Sequence, residues 1–306
     1  MTTLIAGGRG LIGAELAREL GRRSPGSRVV ILDRAPAPGC FACDLRNFAD
    51  VRRAISALAP SVVFHAAGLT RAASPEELWE AHVTTTVNIL EAVLRLKRPG
   101  KVRIVVTGSS AEYGDAAGGR AAREDGPARP LSPYAASKLC QTLASLSYRH
   151  RGLDVRVARL FNLVGPGVPE RQAPGAFASQ IARIERGLQR PQIRVGNLAA
   201  RRDLLDVRDA ARALAALAER GRPGQIYNVC SGNSVSIGEI LRRLIALSRL
   251  PISVRADPSR RRRADIPQSL GDSRKTAAET DFKANIPLGK SLRDMLAWHR
   301  AMPATP

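Results

Sequence analysis

Aromatic residues are scarce in this chain, and lysine is scarcer still. Phe, Trp and Tyr make up 4% of the 306 residues, so the sequence offers no obvious platform on which nucleic-acid bases stack. Of the 48 basic residues only 6 are lysines and 42 are arginines, and the formal net charge is +21. Apart from the four arginines at 260–263, the charge is spread along the whole chain. It suits an anionic small substrate as well as RNA. We therefore expect no nucleic-acid partner and keep a non-catalytic nucleotide- or RNA-binding protein as an alternative.

Long apolar runs are missing as well. No stretch approaches the roughly 18–20 residues that span a bilayer. Residues 1–8 lack the basic and apolar regions of a signal peptide. We therefore expect a cytoplasmic protein with no membrane partner.

Cysteine occurs only four times, at positions 40, 43, 140 and 230. Cys40 and Cys43 have the C-x-x-C spacing of redox and zinc sites. No second pair and no nearby histidine accompanies them. We expect two small apolar residues at the end of a strand, and no metal site.

What the sequence does contain is alternation of apolar strand patterns with helical patterns. Alternation of this kind builds βαβ units and a parallel sheet that is covered on both faces. The predicted fold class is therefore α/β, a doubly wound parallel sheet. The strands are predicted at 2–7, 29–33, 61–65, 102–107 and 153–160, and the helices at 11–22, 50–59, 74–95 and 134–150.

The pattern changes after Phe161, where Gly165, Gly167 and Pro169 signal a loop. We predict a dinucleotide-binding domain at 1–163, with 204–230 packing back onto it, and a smaller C-terminal substrate-binding lobe at 164–306. The second part looks too irregular for an independent core. Its predicted helices are 177–187, 207–219 and 236–248, its strands 225–229 and 252–255, and 256–273 is predicted to be a loop.

A glycine-rich turn, Gly7-Gly-Arg-Gly10-Leu-Ile-Gly13, follows the first strand and opens the first helix. Glycines there allow close approach of a pyrophosphate, and the helix N-terminus offers unpaired N–H groups. Asp33 ends the second strand, where a carboxylate accepts the ribose hydroxyls of an adenosine. Arg34 beside it suits a 2′-phosphate. The turn predicts a Rossmann dinucleotide site, with both NAD(H) and NADP(H) open.

Two further motifs carry acid–base chemistry. Tyr134 and Lys138 lie one helical turn apart on one face, and a lysine ammonium beside a phenol favours the phenolate. Ser109 and Ser110 leave the end of a strand at the edge where open α/β sheets bind ligands. Either hydroxyl can bond a substrate oxygen.

Together these motifs resemble the extended short-chain dehydrogenases/reductases, the NAD-dependent epimerase/dehydratase group. Arg159-Leu-Phe-Asn162 and the segment 201–209 are similar to further motifs of that family. The resemblance implies that Ser109, Tyr134 and Lys138 are catalytic. It further implies two binding sets. The cofactor set is Gly7, Gly10, Leu11, Ile12, Gly13, Asp33, Arg34, Asp44, Leu45, Ala66, Ala67, Tyr134 and Lys138, and the substrate set is Ser109, Ser110, Asn162, Asn197, Arg202 and Arg263.

The second half narrows the resemblance. The segments 177–187, 193–197, 227–232 and 263–267 are similar to the GDP-6-deoxy-D-mannose reductases. That resemblance implies reduction of a GDP-linked 4-keto-6-deoxy sugar and a homodimer formed through the helices near 74–95 and 134–150. A 4-epimerase, or a reductase that gives the 6-deoxy-D-talose epimer, remains open.

The departures from the family pattern also carry information. Ala111 stands where the dehydratases of the group place an acid, and Glu112 is offset by one position. This favours simple ketone reduction over dehydration. His82 and Thr85 replace the usual asparagine and glycine of the N-V-x-G-T-x-N pattern, while Asn88 is kept. We expect His82 to be a local hydrogen-bonding residue and not an acid or base.

Overall fold

A seven-stranded parallel sheet lies at the centre of the structure, a computed structural model that describes residues 1–35, 37–260 and 266–303. The strands of the whole described structure, including those outside this sheet, are β1 Thr2–Ala6, β2 Arg28–Asp33, β3 Cys40–Ala42, β4 Val62–His65, β5 Arg103–Ser109, β6 Asp154–Leu160, β7 Asn162–Val164, β8 Gln192–Val195, β9 Arg201–Asp206, β10 Ile226–Val229, β11 Ser234–Ser236, β12 Ser253–Ala256 and β13 Gln268–Ser269.

The helices alternate with these strands, and a π-helical turn, Glu80–Thr84, joins α3 to α4. They are α1 Leu11–Arg23, α2 Phe48–Leu58, α3 Pro75–Trp79, α4 Thr85–Leu94, α5 Pro133–Ser147, α6 Ala173–Glu185, α7 Val207–Arg220, α8 Ile237–Ile245, α9 Arg274–Thr280 and α10 Leu288–Ala301. Short 3-10 turns occupy Pro99–Lys101, Ser110–Tyr113, Tyr148–Arg151 and Pro258–Arg260. In the described ranges, no helix is both long enough and apolar enough to cross a bilayer.

The order across the central sheet is β10-β6-β5-β4-β1-β2-β3, and every neighbouring pair is parallel. The chain starts in the middle at β1, runs outward to β3, and then crosses back to β4 on the other side of β1. A reversal of this kind leaves a crevice at the carboxyl ends of the central strands, which is where open α/β sheets bind ligands.

Both faces of this sheet are covered. Leu4 and Val63 point into a core formed with α2 and α4, while their chain neighbours Ile5 and Phe64 point into a second core formed with α1 and α7. Successive side chains of a strand face opposite sides, so burial on both sides requires unbroken apolar runs. The predicted doubly wound parallel sheet is confirmed.

The second half of the chain contributes to both parts of the molecule. Helix α7 packs against α1, and β10 extends the large sheet beside β6. The division into domains at residue 163 stays a prediction.

The expectation that the second half lacks a core of its own is wrong. A third apolar cluster, separate from the two that cover the sheet, includes Phe177 and Ile181 of α6, Ile240 of α8, and Leu292 and Met295 of α10. Helix α10 escaped the sequence prediction, and β13 lies inside the segment predicted to be a loop. Two small sheets, β11-β9-β13 with β7 beside β9, and β12-β8, complete this part.

Candidate active site

The glycine-rich turn between β1 and α1 has the shape that close approach of a ligand requires. Gly7 has a φ of +78°, and a Cβ there would lie 2.5 Å from the backbone of Ala67. A Cβ on Gly13 would lie 2.3 Å from the carbonyl oxygen of Gly7, so only glycine lets helix and turn pack this closely. Gly10 precedes the helix, and no side chain caps its N-terminus. These features fit the phosphates of a dinucleotide.

The rest of the proposed cofactor set surrounds the same edge of the sheet. Asp33 ends β2 in register with Ala42 of β3. Ala66 donates its N–H to the carbonyl of Ala6 at the end of β1. Asp44 is not free: its carboxylate accepts from the Arg46 guanidinium at 2.7 Å, and this bond holds the pKa of Asp44 below its usual range. The structure thus gathers these residues at the switch point of the sheet, and their roles stay predictions.

The proposed catalytic residues come from two neighbouring elements. Ser109 is the last residue of β5, and Tyr134 and Lys138 lie in the first turns of α5. Helix α5 starts here because Pro133 fits its first turn and the Ser132 hydroxyl accepts the N–H of Ala135 at 3.2 Å. The buried Lys138 Nζ lies near the loop after β4, since a Cβ on Gly68 would be 3.8 Å from it.

The structure corrects the predicted effect of lysine on the phenol. Lys138 Nζ donates to the carbonyl of Thr107 at 2.7 Å and to Gln141 Oε1 at 2.8 Å. Burial raises the pKa of Tyr134, a hydrogen bond with Ser109 opposes that rise, and the nearby carboxylate of Glu112 adds to it. Burial also lowers the pKa of Lys138 to about 8. Tyr134 is therefore a neutral phenol near pH 7, which is the form that donates a proton.

His82 connects helix α5 to the loop after β4. Its Nε2 accepts the N–H of Leu69 at 3.2 Å, which places the ring proton on Nδ1. Nδ1 then donates to Ser137 Oγ at 2.9 Å, and Ser137 Oγ donates to the carbonyl of Tyr134 at 2.9 Å. Burial and the nearby Lys138 ammonium lower the pKa of His82 to about 3, so the ring stays neutral. The expected hydrogen-bonding role of His82 is confirmed.

Glu112 turns away from the crevice and into the protein. Its side chain is fully buried and makes an ion pair with Arg159 Nε at 2.7 Å. It also accepts the N–H of Ser109 at 2.7 Å and the hydroxyl of Thr142 at 2.9 Å. The sequence flagged this acid only as misplaced for dehydration. The structure shows that it fixes the loop of Ser109 against α5 and β6.

A cavity of about 540 Å³ lies beside the third core and collects three of the proposed substrate residues, Asn162, Asn197 and Arg202. Ser109 and Ser110 do not line it. Arg263 lies outside the described residues. Arg71 and Arg171 also line the cavity, from loops that lie far apart in the sequence, and neither was among the predicted site residues. They carry no motif, so only the fold reveals them.

Comparison with known proteins agrees with this arrangement. A profile of the NAD dependent epimerase/dehydratase family matches residues 3–230. The chain is 32% identical over 244 residues to GDP-6-deoxy-D-mannose reductase of Pseudomonas aeruginosa, which covers 78% of this chain and 80% of that protein.

The chain belongs to the NAD dependent epimerase/dehydratase family.

Two further relatives lie in the same family group. Over 264 residues the chain is 32% identical to dTDP-6-deoxy-L-talose 4-dehydrogenase (NAD(P)(+)) of Kitasatospora kifunensis, which covers 83% of this chain and 81% of that protein. The structure of RMD from Pseudomonas aeruginosa complexed with NADPH has a TM-score of 0.86 at 28% identity, over 98% of this chain and 99% of that chain.

Family membership confirms the coarse part of the functional prediction. The chain is an NAD(P)-dependent enzyme of the group that contains nucleotide-sugar reductases, epimerases and dehydratases. In this chain both oxygens of Glu112 are engaged inside the protein, by a backbone N–H, a hydroxyl and a guanidinium.

Replacement of His82 tests the link between helix α5 and the loop after β4, which begins with the proposed cofactor residues Ala66 and Ala67. We expect His82→Leu to weaken NAD(P)H binding about fivefold or more, because the N–H of Leu69 loses its acceptor inside the protein. His82→Gln keeps an oxygen that can accept this bond and should retain most of the affinity. Titration of NADH or NADPH by fluorescence measures both variants. Equal affinity for wild type and His82→Leu would contradict the assignment.

Proposed function

We propose that this enzyme reduces the C4 ketone of GDP-4-keto-6-deoxy-D-mannose with NADH or NADPH and forms GDP-6-deoxy-D-mannose, also called GDP-D-rhamnose. The observation that carries the proposal is the placement of the Tyr134 phenol, with Ser109 at the end of β5 and Lys138 one helical turn away on α5, at the switch point of the sheet. The similarity to GDP-6-deoxy-D-mannose reductase over most of both chains supports the choice of substrate.

The proposed mechanism transfers one proton to the sugar oxygen and stabilises the negative charge that develops on it. A bound reduced nicotinamide supplies the hydride. Tyr134 donates its proton to the carbonyl oxygen of the sugar as alkoxide character develops. Ser109 donates a hydrogen bond to that same oxygen and stabilises the developing charge. Lys138 holds the nicotinamide ribose and compensates the charge left on the phenol.

The raised pKa of Tyr134 suits the reducing direction of this reaction. A reductase needs an acid at this position, whereas an alcohol dehydrogenase needs a base. Burial of the phenol raises its pKa and keeps it protonated near neutral pH, and a hydrogen bond with Ser109 limits that rise before the ketone binds.

We propose that the two parts of the chain bind different ligands. Residues 1–163 would hold the dinucleotide through the glycine-rich turn, with Asp33 favouring NADH and Arg34 leaving NADPH open. The lobe at 164–306 would hold the nucleotide diphosphate. Guanidinium forks suit phosphate, so we assign Arg202, together with Asn162 and Asn197, to that group. Arg263 is proposed for the same role from the sequence.

A second outcome at C4 has its own support. The similarity to dTDP-6-deoxy-L-talose 4-dehydrogenase makes formation of the 6-deoxy-D-talose epimer the alternative to formation of GDP-D-rhamnose. A 4-epimerase would interconvert sugars without net oxidation of the cofactor. The deciding experiment supplies GDP-4-keto-6-deoxymannose with NADH or NADPH, follows the absorbance of the reduced cofactor, and identifies the sugar formed.

Replacement of Tyr134 by Phe tests the proton donor. We expect Tyr134→Phe to reduce kcat at least about a hundredfold, because it removes the acid from the reacting oxygen. Binding of NADH or NADPH should change little. Tyr148→Phe is the matched control, since the Tyr148 hydroxyl bonds Glu91 away from the crevice at 2.8 Å. Turnover by Tyr134→Phe at the wild-type rate would rule out the proposed mechanism.

The pH profile tests the role of Lys138. Burial lowers the pKa of this ammonium to about 8. Its charge is therefore present below that pH and is lost above it. We expect kcat/KM for ketone reduction to be constant from pH 6 to about pH 7.5 and to fall on the alkaline side. A profile that instead falls between pH 7 and pH 6 would show that another group controls the reaction.

We also propose a homodimer through the helices near α3–α4 and α5. Two large apolar side chains are solvent-exposed there, Trp79 (48%) on α3 and Leu143 (59%) on α5. Light scattering should give the mass of two chains. Leu143→Lys should shift it toward one chain, whereas Leu188→Lys, an equally exposed position in the other lobe, should not. A single-chain mass for the wild type at micromolar concentration would remove the dimer from the proposal.

A further inference from the structure

Five arginines surround one concave space beside the proposed nucleotide-sugar cavity. This second cavity, which we call the arginine cavity, has a volume of about 610 Å³, well within the roughly 300–1,000 Å³ of small-molecule sites. Its guanidinium groups come from the end of α6, the segment that follows it, strands β8 and β12, and the 3-10 turn after β12. They are Arg183, Arg190, Arg194, Arg255 and Arg260.

Two of these arginines stand side by side because of the strand register. Strands β8 and β12 are parallel, and Arg194 pairs with Arg255. Neighbouring strands lie about 4.8 Å apart, so paired side chains project from the same face. Like charges placed opposite each other in a sheet are destabilising. A negative charge between them would convert this repulsion into attraction.

Among the residues that the structure describes, acidic side chains do not supply that charge in sufficient number. In the part of the chain that the structure describes, no carboxylate lies within salt-bridge distance of Arg183, Arg190, Arg194 or Arg255. Asp257 pairs with Arg260 at 3.5 Å and affects Arg194 only at longer range.

The remaining carboxylate of the cavity is also engaged. Glu170 lines both cavities and accepts the hydroxyl of Ser179 at 2.7 Å. Among the described residues, five arginines line the cavity together with one carboxylate, Glu170, while Asp257 lies nearby on Arg260, so the arginine cavity keeps a positive excess.

The proposed sugar substrate does not account for this excess. Its diphosphate is assigned to the neighbouring cavity, which contains Arg202, and the guanosine that remains carries no net charge. The two cavities meet at Arg194 and Arg260, which line both. A second anion beside the nucleotide sugar would explain five guanidiniums, whereas a base and ribose alone would not.

We propose that the arginine cavity is a second anion-binding site for a small phosphorylated molecule with several negative charges. Planar guanidinium forks match phosphate oxygens in pairs, which favours phosphate over a lone carboxylate. The cavity is concave and its lining contains no aromatic side chain, which favours a small molecule over RNA. Because Arg194 and Arg260 serve both cavities, occupancy of one changes affinity in the other.

Binding of inorganic pyrophosphate to the full chain tests this proposal without any reference to catalysis. Calorimetric titration at physiological ionic strength should show a site whose affinity falls about tenfold in Arg194→Gln/Arg255→Gln and about fivefold in Arg255→Gln alone. The control Arg28→Gln/Arg52→Gln removes the same charge from exposed positions in the first half of the chain and should leave the affinity unchanged. Thermal melting confirms that each variant is folded.

Competition with GDP separates this site from the nucleotide-sugar site. GDP should shift the apparent affinity for pyrophosphate without abolishing binding at Arg255, and this result stands whether or not the chain reduces a GDP sugar. Complete displacement by GDP would show that the arginine cavity is only an extension of the substrate site. Equal weakening in the control variant, tighter binding of a short RNA than of pyrophosphate, or no pyrophosphate binding would also overturn the proposal.

Discussion

The buried ion pair between Glu112 and Arg159 holds together the elements that form the proposed reaction site. One carboxylate reaches the backbone of Ser109, the hydroxyl of Thr142 on α5 and a guanidinium on β6. The Arg159 guanidinium also lies over the ring of Tyr113, 4.5 Å from its centroid. A charge pair removed from water is stable only when such additional bonds satisfy it. The Ser109 loop and helix α5 are therefore held together from inside the protein.

A second buried network sets the position of the amine. Lys138 is held by Thr107 and Gln141, and Gln141 in turn donates to Thr86 at 2.8 Å. Neutral His82 connects helix α5 to the loop after β4 through its hydrogen bonds with Ser137 and Leu69. Glu112, the acid of the first network, is held inside the protein by three hydrogen-bonding partners. This arrangement supports the proposed ketone reduction.

The sequence predicted most of the large sheet because its strands are short and mainly apolar, and because most of them are separated by helices. It also predicted glycines and hydroxyls at the carboxyl ends of β1 and β5, since the carboxyl ends of parallel strands share one edge, and their functional roles stay predictions. It failed for α10 and the small strands, whose identity depends on contacts with distant segments. The sequence predicted a lowered pKa for Tyr134, whereas burial raises it, because spacing on a helix does not reveal how deeply the phenol lies in the protein.

The arginine content is less uniform in space than in sequence. Some guanidiniums are structural, as Arg159 is, and others pair with acids on the same helix, such as Arg22 and Arg23 with Glu19. The register of β8 and β12 places Arg194 beside Arg255, and among the described residues no carboxylate lies within salt-bridge distance of either. A composition that looks like evenly spread surface charge therefore contains a local field, which only the fold creates.

The π-helical turn at Glu80–Thr84 affects how this chain is compared with its relatives. Such a turn holds one residue more than an α-helical turn and rotates everything beyond it by about 100°. In an uninterrupted α-helix Trp79 and Asn88 would lie on opposite faces, about 180° apart, and the π-helical turn reduces this angle to about 80°. Alignments and redesigns of this segment should treat it as two helices with independent phases and should count positions on α4 from His82, not from Pro75.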